Sequence, residues 1–183
     1  KSLSAAISNE PDPTGEEILK GIKDELEYIN ERDVKIAVST EKNMPTSQTA
    51  VGITAIGICS REQLNICRLQ NGDMVYCLGL PKVGDEVGAF DDIQIATALH
   101  IKKLLNMNGV GEVLPIGSKG ILKEAGMMAE SAGCTLELND NIKIDIYKSA
   151  GPSTCTIFTS KARLNIDNLD GTPVTFLGKL RAL

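Results

Sequence analysis

The chain has 183 residues, of which 42% are hydrophobic and 23% are charged, and its formal net charge is −5. This composition predicts a globular protein with a sizeable core and excludes disordered, collagen-like, disulfide-scaffold and membrane-spanning proteins. The 19 Lys and Arg residues are scattered and outnumbered by 24 Asp and Glu residues, and six Phe and Tyr residues offer little base stacking, so nucleic-acid binding is disfavoured.

The first half of the chain predicts one helix among strands. Leu3 to Ile7 is typical of part of a regular element. Thr14 and Glu17 stand three residues apart, as in a capping box, and apolar residues follow at helical spacing, so we expect a helix over about 14–31. Runs of β-branched and apolar residues predict strands over 34–38, 49–58, 64–69 and 74–80.

The second half mixes helices and strands in a different order. A change in composition near residue 90 predicts two domains, 1–89 and 90–183, with a helix from Asp91 and Asp92 to Leu105. A glycine-flanked turn over 117–120 leads into a second apolar helical face that ends at Gly133. The predicted strands are 110–116, 135–138, 142–146, 153–159 and 174–180. Because the alternation is not a regular βαβ series, we expect an α+β fold in two layers.

The scarcity of histidine and the placement of cysteine exclude several chemistries. His100 is the single histidine and cannot supply a zinc cluster, so we interpret it as an ordinary helix residue. The five cysteines form no C-x-x-C pair, and the chain begins without a signal-peptide core, which predicts buried, inert thiols in a reducing cytoplasm.

The polar loop over 39–47 is the first candidate site. It places hydroxyls, the Glu41 carboxylate, the Lys42 cation and the Asn43 amide between two predicted strands. A carboxylate among oxygens suits Mg²⁺, which is commonly held by one or two carboxylates together with phosphate and water. The alternative is a solvated hairpin loop.

The turn over 117–120 is the second candidate, because free amides at a helix N-terminus can hold phosphate and Lys119 would add charge. The alternative is a turn capped by Ser118 that only redirects the chain. A third loop, over 149–154, carries small residues and hydroxyls that would suit a pocket lining, but we favour a plain turn because Gly-Pro loops are common. No Rossmann glycine fingerprint and no Walker A motif occurs.

Taken in order, these stretches resemble the superfamily of aminoimidazole ribonucleotide synthetase, selenophosphate synthetase and thiamine-monophosphate kinase, known as PurM-like proteins. The likeness lies in an acidic loop followed by a Gly-Ile-Thr-Ala-Ile-Gly strand, a Gly-Asp strand opening, a strand, glycine turn and helix, and two late strand motifs. These segments are 39–45, 52–57, 72–76, 113–133, 151–159 and 176–180. The nearest likeness is to synthetase-related proteins that include α-ribazole kinase, which share the Ser-Thr-Glu-x-Asn-x-Pro loop and the Gly-Ser-Lys-Gly turn.

The resemblance implies a partial N-terminal, mixed or antiparallel sheet domain that binds ATP and dimerises, followed by an α+β C-terminal domain. It implies ATP- and Mg²⁺-dependent phosphoryl transfer to a small molecule, with α-ribazole as one acceptor and hence a place in cobalamin biosynthesis. A glycine-rich nucleotide-binding segment of the family has no counterpart upstream of Thr14, so we expect a truncated chain that is inactive alone. The alternatives are a selenophosphate- or aminoimidazole ribonucleotide-type synthetase and a non-catalytic module.

The resemblance also implies roles for individual residues. Glu41 would hold Mg²⁺ on the nucleotide phosphates, with Thr40 and Asn43 orienting it. Ser118 and Lys119 would contact phosphate or the acceptor beside Gly117 and Gly120. A cytoplasmic homodimer would form through the strands over 49–58 and 74–80.

Overall fold

The computed structural model describes residues 1–61, 64, 69–88 and 92–183. They divide into two compact units, Lys1–Leu64 and Asn65–Leu183. The division lies nearer the N-terminus than the predicted boundary at residue 90, because the strand Met74–Leu78 pairs with strands of the second unit. Most of the predicted strand over 64–69 lies outside the described residues.

The first unit contains a three-stranded mixed sheet and one helix. Its strands are β1 (Ser2–Ile7), β2 (Lys35–Ser39) and β3 (Val51–Ile56), and its helix is α1 (Glu16–Tyr28). The central strand β1 pairs parallel with β2 and antiparallel with β3. Ala5 and Ile7 of β1 are buried, as expected for alternate side chains on the covered face of a central strand.

The entry to α1 differs from the predicted capping box. The helix begins at Glu16, two residues later than expected, and no side chain caps it. Thr14 instead donates its hydroxyl and its amide to the Glu10 carboxylate, which closes the preceding turn over Pro11–Gly15. The capping-box prediction is wrong because the Thr14 hydroxyl is hydrogen-bonded to the Glu10 carboxylate, four residues upstream, and does not cap the helix.

The second unit is built on an antiparallel sheet in the order β5-β7-β4-β9-β6, with β8 paired to β9. The strands are β4 (Met74–Leu78), β5 (Val110–Pro115), β6 (Cys134–Leu138), β7 (Thr156–Ser160), β8 (Asn168–Leu169) and β9 (Thr172–Ala182). The helices are α2 (Ala98–Asn106) and α3 (Gly120–Ser131). The predicted α+β class is confirmed.

Alternate residues of the central strands feed two separate cores. Ile157 of β7 packs into the core that contains α3, while its neighbour Phe158 packs into the core that contains Leu104 of α2. Both side chains are fully buried, and such burial stabilises a fold by about 1.5–3 kcal/mol per side chain. The second unit therefore covers both faces of its sheet with helices, which makes three layers rather than the predicted two.

Two predicted elements of the second unit are absent or shorter. Helix α2 begins at Ala98 rather than near Asp92, whose carboxylate accepts from the Gln94 amide and pairs with Lys82 at 2.6 Å. Asp91 lies outside the described residues. The segment 142–146 is not a strand, although its isoleucines pack on the α3 core. The Asp145 carboxylate closes a turn at its end by accepting from the amides of Tyr147 and Lys148.

Among the described residues, no helix has the length and apolar character needed to cross a membrane.

Candidate functional site

The first candidate site lies where three strands of the first unit meet. Since β1 and β2 run parallel, with Ala6 opposite Ser39, their carboxyl ends share one edge of the sheet. Strand β3 begins at the same edge, with Val51 opposite Ile7. A cavity of about 510 Å³ opens there. Polar residues that follow the two parallel strands are therefore brought together around it.

Hydroxyl groups dominate the polar lining of this cavity. They belong to Ser8, Ser39, Thr40 and Thr46, which line the cavity together with Glu41. Ser8 also ties down the loop between β2 and β3, because its hydroxyl accepts from the Ala50 amide at 2.8 Å and donates to the Gln48 carbonyl at 3.1 Å. The structure thus joins Thr40 and Glu41, predicted as site residues, to a serine that the sequence left unmarked.

Glu41 is fixed by hydrogen bonds within its own loop. Its amide donates to the Asn9 carbonyl at 3.0 Å. Its carboxylate Oε1 accepts from the amides of Asn43 at 2.6 Å and Met44 at 3.2 Å. These hydrogen bonds from backbone amides lower the pKa of the Glu41 carboxyl, which favours its ionised form at neutral pH. Asn43 contributes its backbone amide to this arrangement.

The polar groups around Glu41 suit a cation only when a bound ligand supplies further coordinating oxygens. In the part of the chain that the structure describes, no group of three or more His, Cys, Asp or Glu side chains converges on a metal position. Mg²⁺ does not need such a group when nucleotide phosphates and water complete its coordination. One ionised carboxylate among hydroxyls therefore fits Mg²⁺ bound jointly with a phosphate, and does not fit a structural metal centre.

The second candidate site is the turn between β5 and α3 in the second unit. Its backbone is anchored on both sides, because the Gly117 amide donates to the Glu124 carboxylate at 3.0 Å and its carbonyl accepts from the Ala150 amide at 3.1 Å. Lys119 occupies the N-cap position of α3 without a side-chain capping bond. The interpretation of Ser118 as a helix cap is therefore wrong.

Protein groups already occupy much of the α3 N-terminus. The Leu122 amide donates to the Ile146 carbonyl at 2.8 Å, and the Gly120 amide lies 3.5 Å from the Gly117 carbonyl. Gly120 has a φ of +79°, and a Cβ there would lie 2.8 Å from the Tyr147 carbonyl oxygen. Backbone packing therefore requires a glycine at position 120.

The third loop serves the architecture of the second unit. Thr154 is buried, its hydroxyl accepts from the Lys82 amide at 2.9 Å, and it donates to the Leu80 carbonyl at 2.9 Å. The Thr154 carbonyl accepts from the Ala96 amide at 2.8 Å. These bonds join three segments of chain, which favours the plain structural interpretation of 149–154.

The contacts of His100 and of the buried cysteines indicate structural roles. His100 lies in α2, and its Nδ1 accepts from the Thr97 amide at 3.0 Å, so the ring caps its own helix. Contact with the Cys155 thiol, together with burial, raises the pKa of Cys77. Cys134 is buried as well, whereas Cys59 is exposed, contrary to the expectation of buried thiols. Cys67 lies outside the described residues.

The predicted site residues fall into the two units. Thr40, Glu41 and Asn43 belong to the first, while the turn over 117–120 belongs to the second. Reasoning from the sequence missed Ser8 and Asn9 at the first site and Glu124 at the second. The signal for the first two was present, because polar residues directly follow the apolar run that ends at Ile7. Glu124 gave no signal, since a carboxylate in the first turns of a helix is commonplace.

Comparison with known proteins gives matches of structure. No protein-family model matches the sequence, and no curated protein matches it by sequence. The crystal structure of E. coli HypE, a hydrogenase maturation protein, is 13% identical with a TM-score of 0.62, and the match covers 100% of this chain and 68% of HypE.

Two further structures were solved with nucleotides. Aquifex aeolicus thiamine monophosphate kinase, ThiL, complexed with AMPPCP and TMP, has a TM-score of 0.55 at 14% identity, over 100% of this chain and 67% of ThiL. Thermotoga maritima PurL complexed with ATP also has a TM-score of 0.55 at 14% identity, over 98% of this chain and 28% of PurL. At these identities the likeness concerns the fold.

Proposed function

The chain has the PurM-like fold, and from that premise we propose that it serves ATP- and Mg²⁺-dependent phosphoryl transfer to a small molecule, with α-ribazole as the acceptor. The observation that carries the proposal is the cavity beside Glu41, where an ionised carboxylate and four hydroxyls meet at one edge of the sheet. Two proteins that share the fold were solved with ATP or AMPPCP, which supports a nucleotide as the ligand.

In this proposal the first unit holds the nucleotide phosphates. Mg²⁺ supplies positive charge that neutralises them, and Glu41 is its protein ligand. Because Oε1 of Glu41 closes the loop, the second carboxylate oxygen is the one left for the metal. The Thr40 hydroxyl donates a hydrogen bond to the phosphates, and Asn43 positions Glu41 through its backbone amide. Ser8 holds the loop between β2 and β3 in place, because its hydroxyl hydrogen-bonds the backbone of Gln48 and Ala50 just before β3.

The second unit provides the acceptor side. Within that unit, Lys119 offers positive charge and Ser118 offers a hydroxyl to a phosphate or to the acceptor. Gly117 and Gly120 shape the turn through their backbone bonds and close packing. Phosphoryl transfer depends mainly on positioning and charge neutralisation, so the proposed chemistry requires neither a protein nucleophile nor a histidine base.

The homodimer is part of the proposal, and the strand pairing of each unit favours one strand over another as its interface. Strand β4 lies between β7 and β9, so the predicted dimer strand over 74–80 is enclosed and unavailable. Among the described residues, β3 pairs with β1 on one edge only. Ile53 and Ile56 of β3 are 54% and 59% exposed, which is unusual for large apolar strand residues. A second copy that pairs along β3 would cover them.

Turnover of ATP with α-ribazole tests the activity. The assay follows ADP formation with and without Mg²⁺. It uses this chain and, in parallel, the protein encoded by the natural open reading frame. Glu41→Gln keeps an oxygen that can accept the loop amides but removes the charge, and we expect turnover to fall about a hundredfold. Glu17→Gln, an exposed carboxylate of α1 outside the cavity, is the matched control. Equal turnover in both variants would remove Glu41 from the site.

Other outcomes separate the alternatives. ATP turnover that depends on another oxygen or selenium acceptor, as in aminoimidazole ribonucleotide or selenophosphate formation, and not on α-ribazole would favour a synthetase. Absence of nucleotide binding in both forms of the protein would favour a non-catalytic module. Light scattering that gives a monomer at assay concentration would contradict the homodimer, and a dimer that persists in Ile53→Lys would contradict pairing along β3.

A further inference from the structure

Two Asn-Gly pairs occur in the sequence, Asn71–Gly72 and Asn108–Gly109, and both belong to the second unit. An asparagine that precedes glycine is chemically labile, because glycine has no side chain to hinder the attack of its backbone nitrogen on the neighbouring side-chain amide. Both pairs lie in turns of the chain. Their surroundings therefore decide which of them reacts in the folded protein.

The two turns have the same backbone form. In each, the residue after glycine donates its amide to the carbonyl of the residue before asparagine, at 3.1 Å from Asp73 to Gln70 and at 3.2 Å from Val110 to Met107. The two glycines have φ values of +97° and +86°, as in the second central residue of a type II turn. Both asparagines are exposed. Backbone form and access to water therefore do not distinguish the two pairs.

The first pair is held by hydrogen bonds at both of its reacting groups. The Gly72 amide donates to the Leu180 carbonyl of β9 at 2.8 Å. The Asn71 side-chain carbonyl accepts from the Ala182 amide, also in β9, at 3.2 Å. Both bonds must break before the Gly72 nitrogen can attack, because the nitrogen loses its proton and the side chain has to turn toward it.

The second pair lacks these bonds. Among the described residues, no protein group accepts from the Gly109 amide, and none is hydrogen-bonded to the Asn108 side chain. A Cβ at Gly109 would meet nothing within 4 Å, so the space around this glycine is open. The Gly109 carbonyl accepts from the Lys161 amide at 3.1 Å. The turn is thus anchored through a group that does not react, and the two reacting groups are unconstrained.

We infer that Asn108 is a site of spontaneous deamidation in the folded protein, whereas Asn71 is protected. The Gly109 nitrogen attacks the side-chain carbonyl carbon of Asn108 and loses its proton, and the bond from that carbon to the side-chain nitrogen breaks with release of ammonia. Water then opens the cyclic imide at either carbonyl, which gives aspartate or isoaspartate at position 108. The inference is independent of the proposed function.

The product alters the joint between α2 and β5. Isoaspartate lengthens the backbone by one carbon atom and adds a negative charge. Met107 and Val110, at the two ends of the turn, pack against the core that contains Leu104. The bond from the Lys161 amide to Gly109 lies next to the first β5–β7 pair, Val110 opposite Ser160. Formation of isoaspartate therefore loosens this end of the sheet.

Peptide mapping by mass spectrometry tests the inference on the whole chain. The folded protein is incubated at mildly alkaline pH, and conversion of amide to acid is followed at each pair, with isoaspartate identified by a protein isoaspartate methyltransferase. We expect Asn108 to react at least about tenfold faster than Asn71, the protection that two hydrogen bonds provide. In protein unfolded by guanidinium chloride the two rates should become similar, because both asparagines precede glycine.

Matched variants connect the reaction to its structural effect. Asn108→Gln should prevent it, because glutamine would have to form a larger ring that closes more slowly, whereas Asn71→Gln should leave the rate at Asn108 unchanged. Hydrogen exchange of the Lys161 amide should accelerate in the isoaspartate form, and it should stay constant in Asn108→Gln after the same incubation.

The contradicting results concern the same rates. Equal rates at the two pairs in the folded protein, or a faster reaction at Asn71, would overturn the inference. Reaction of Asn108 only after unfolding would overturn it as well. Unchanged exchange of the Lys161 amide in the isoaspartate form would refute the loosening of the sheet. None of these results bears on ATP turnover, so failure here is distinct from failure of the proposed function.

Discussion

Replacing Gly120 by alanine tests whether this glycine is required by the fold or by a ligand. The residue has a φ of +79°, in the left-handed region where a side chain costs about 1–2 kcal/mol. A Cβ would also lie 2.8 Å from the Tyr147 carbonyl oxygen and 3.0 Å from that of Lys148. Both atoms are backbone and can move only with their chain segment, which adds about 1–3 kcal/mol for overpacking.

We therefore expect Gly120→Ala to lower the free energy of unfolding by about 2–5 kcal/mol. Domains of this kind are stable by about 5–15 kcal/mol, so the loss is large enough to shift a urea midpoint clearly. The measurement is urea unfolding followed by circular dichroism, without any nucleotide or acceptor.

Gly126→Ala is the matched control. Gly126 lies in the same helix, has no positive φ, and a Cβ there would meet nothing within 4 Å. Alanine should stabilise the helix at this position by about 0.5–1 kcal/mol. If Gly120→Ala is as stable as the original protein, the packing argument is refuted and a ligand role for Gly120 regains its place.

Two further predictions concern buried polar contacts. Thr154→Val removes a hydroxyl that serves the Lys82 amide and the Leu80 carbonyl, so we expect a loss of about 1–3 kcal/mol in urea unfolding. Thr154→Ser should recover most of it, and equal stability of Thr154→Val and the original protein would contradict the assignment. His100 accepts the Thr97 amide, and desolvation lowers its pKa below the usual 6.5. Unfolding then takes up protons, so stability should fall as pH drops below about 6.5 toward the folded-state pKa, and His100→Asn should show a shallower fall; identical pH profiles would contradict this.

Local sequence signals predicted much of the second unit because they coincide with its packing. The apolar spacing that begins at Ile121 and includes Ala125 and Met128 is the face of α3 in the core. The continuous apolar run over 74–78 matches a strand with a core on each face. Where two local signals compete, prediction failed. The Thr14 hydroxyl donates to the Glu10 carboxylate, four residues upstream, instead of capping the helix with Glu17.

The candidate sites also show which residues could be found from the local sequence and which depend on contacts made by the fold. Glu41 could be found from its residue type and its loop, and the structure adds that its loop amides favour ionisation. Ser8 could not be connected to that loop, because only the parallel pairing of β1 and β2 brings their ends to one edge. The turn over 117–120 was predicted as glycine-flanked, but only the structure shows why glycine stands at 120, because a Cβ there would meet the carbonyl of Tyr147, which is distant in sequence.

Calorimetric titration with AMPPCP tests the central claim, that the cavity beside Glu41 binds a magnesium nucleotide. The account predicts binding that requires Mg²⁺, weakens at least tenfold in Glu41→Gln and is unchanged in Glu17→Gln. Equal affinity in the two variants, or binding that is indifferent to Mg²⁺, would contradict it.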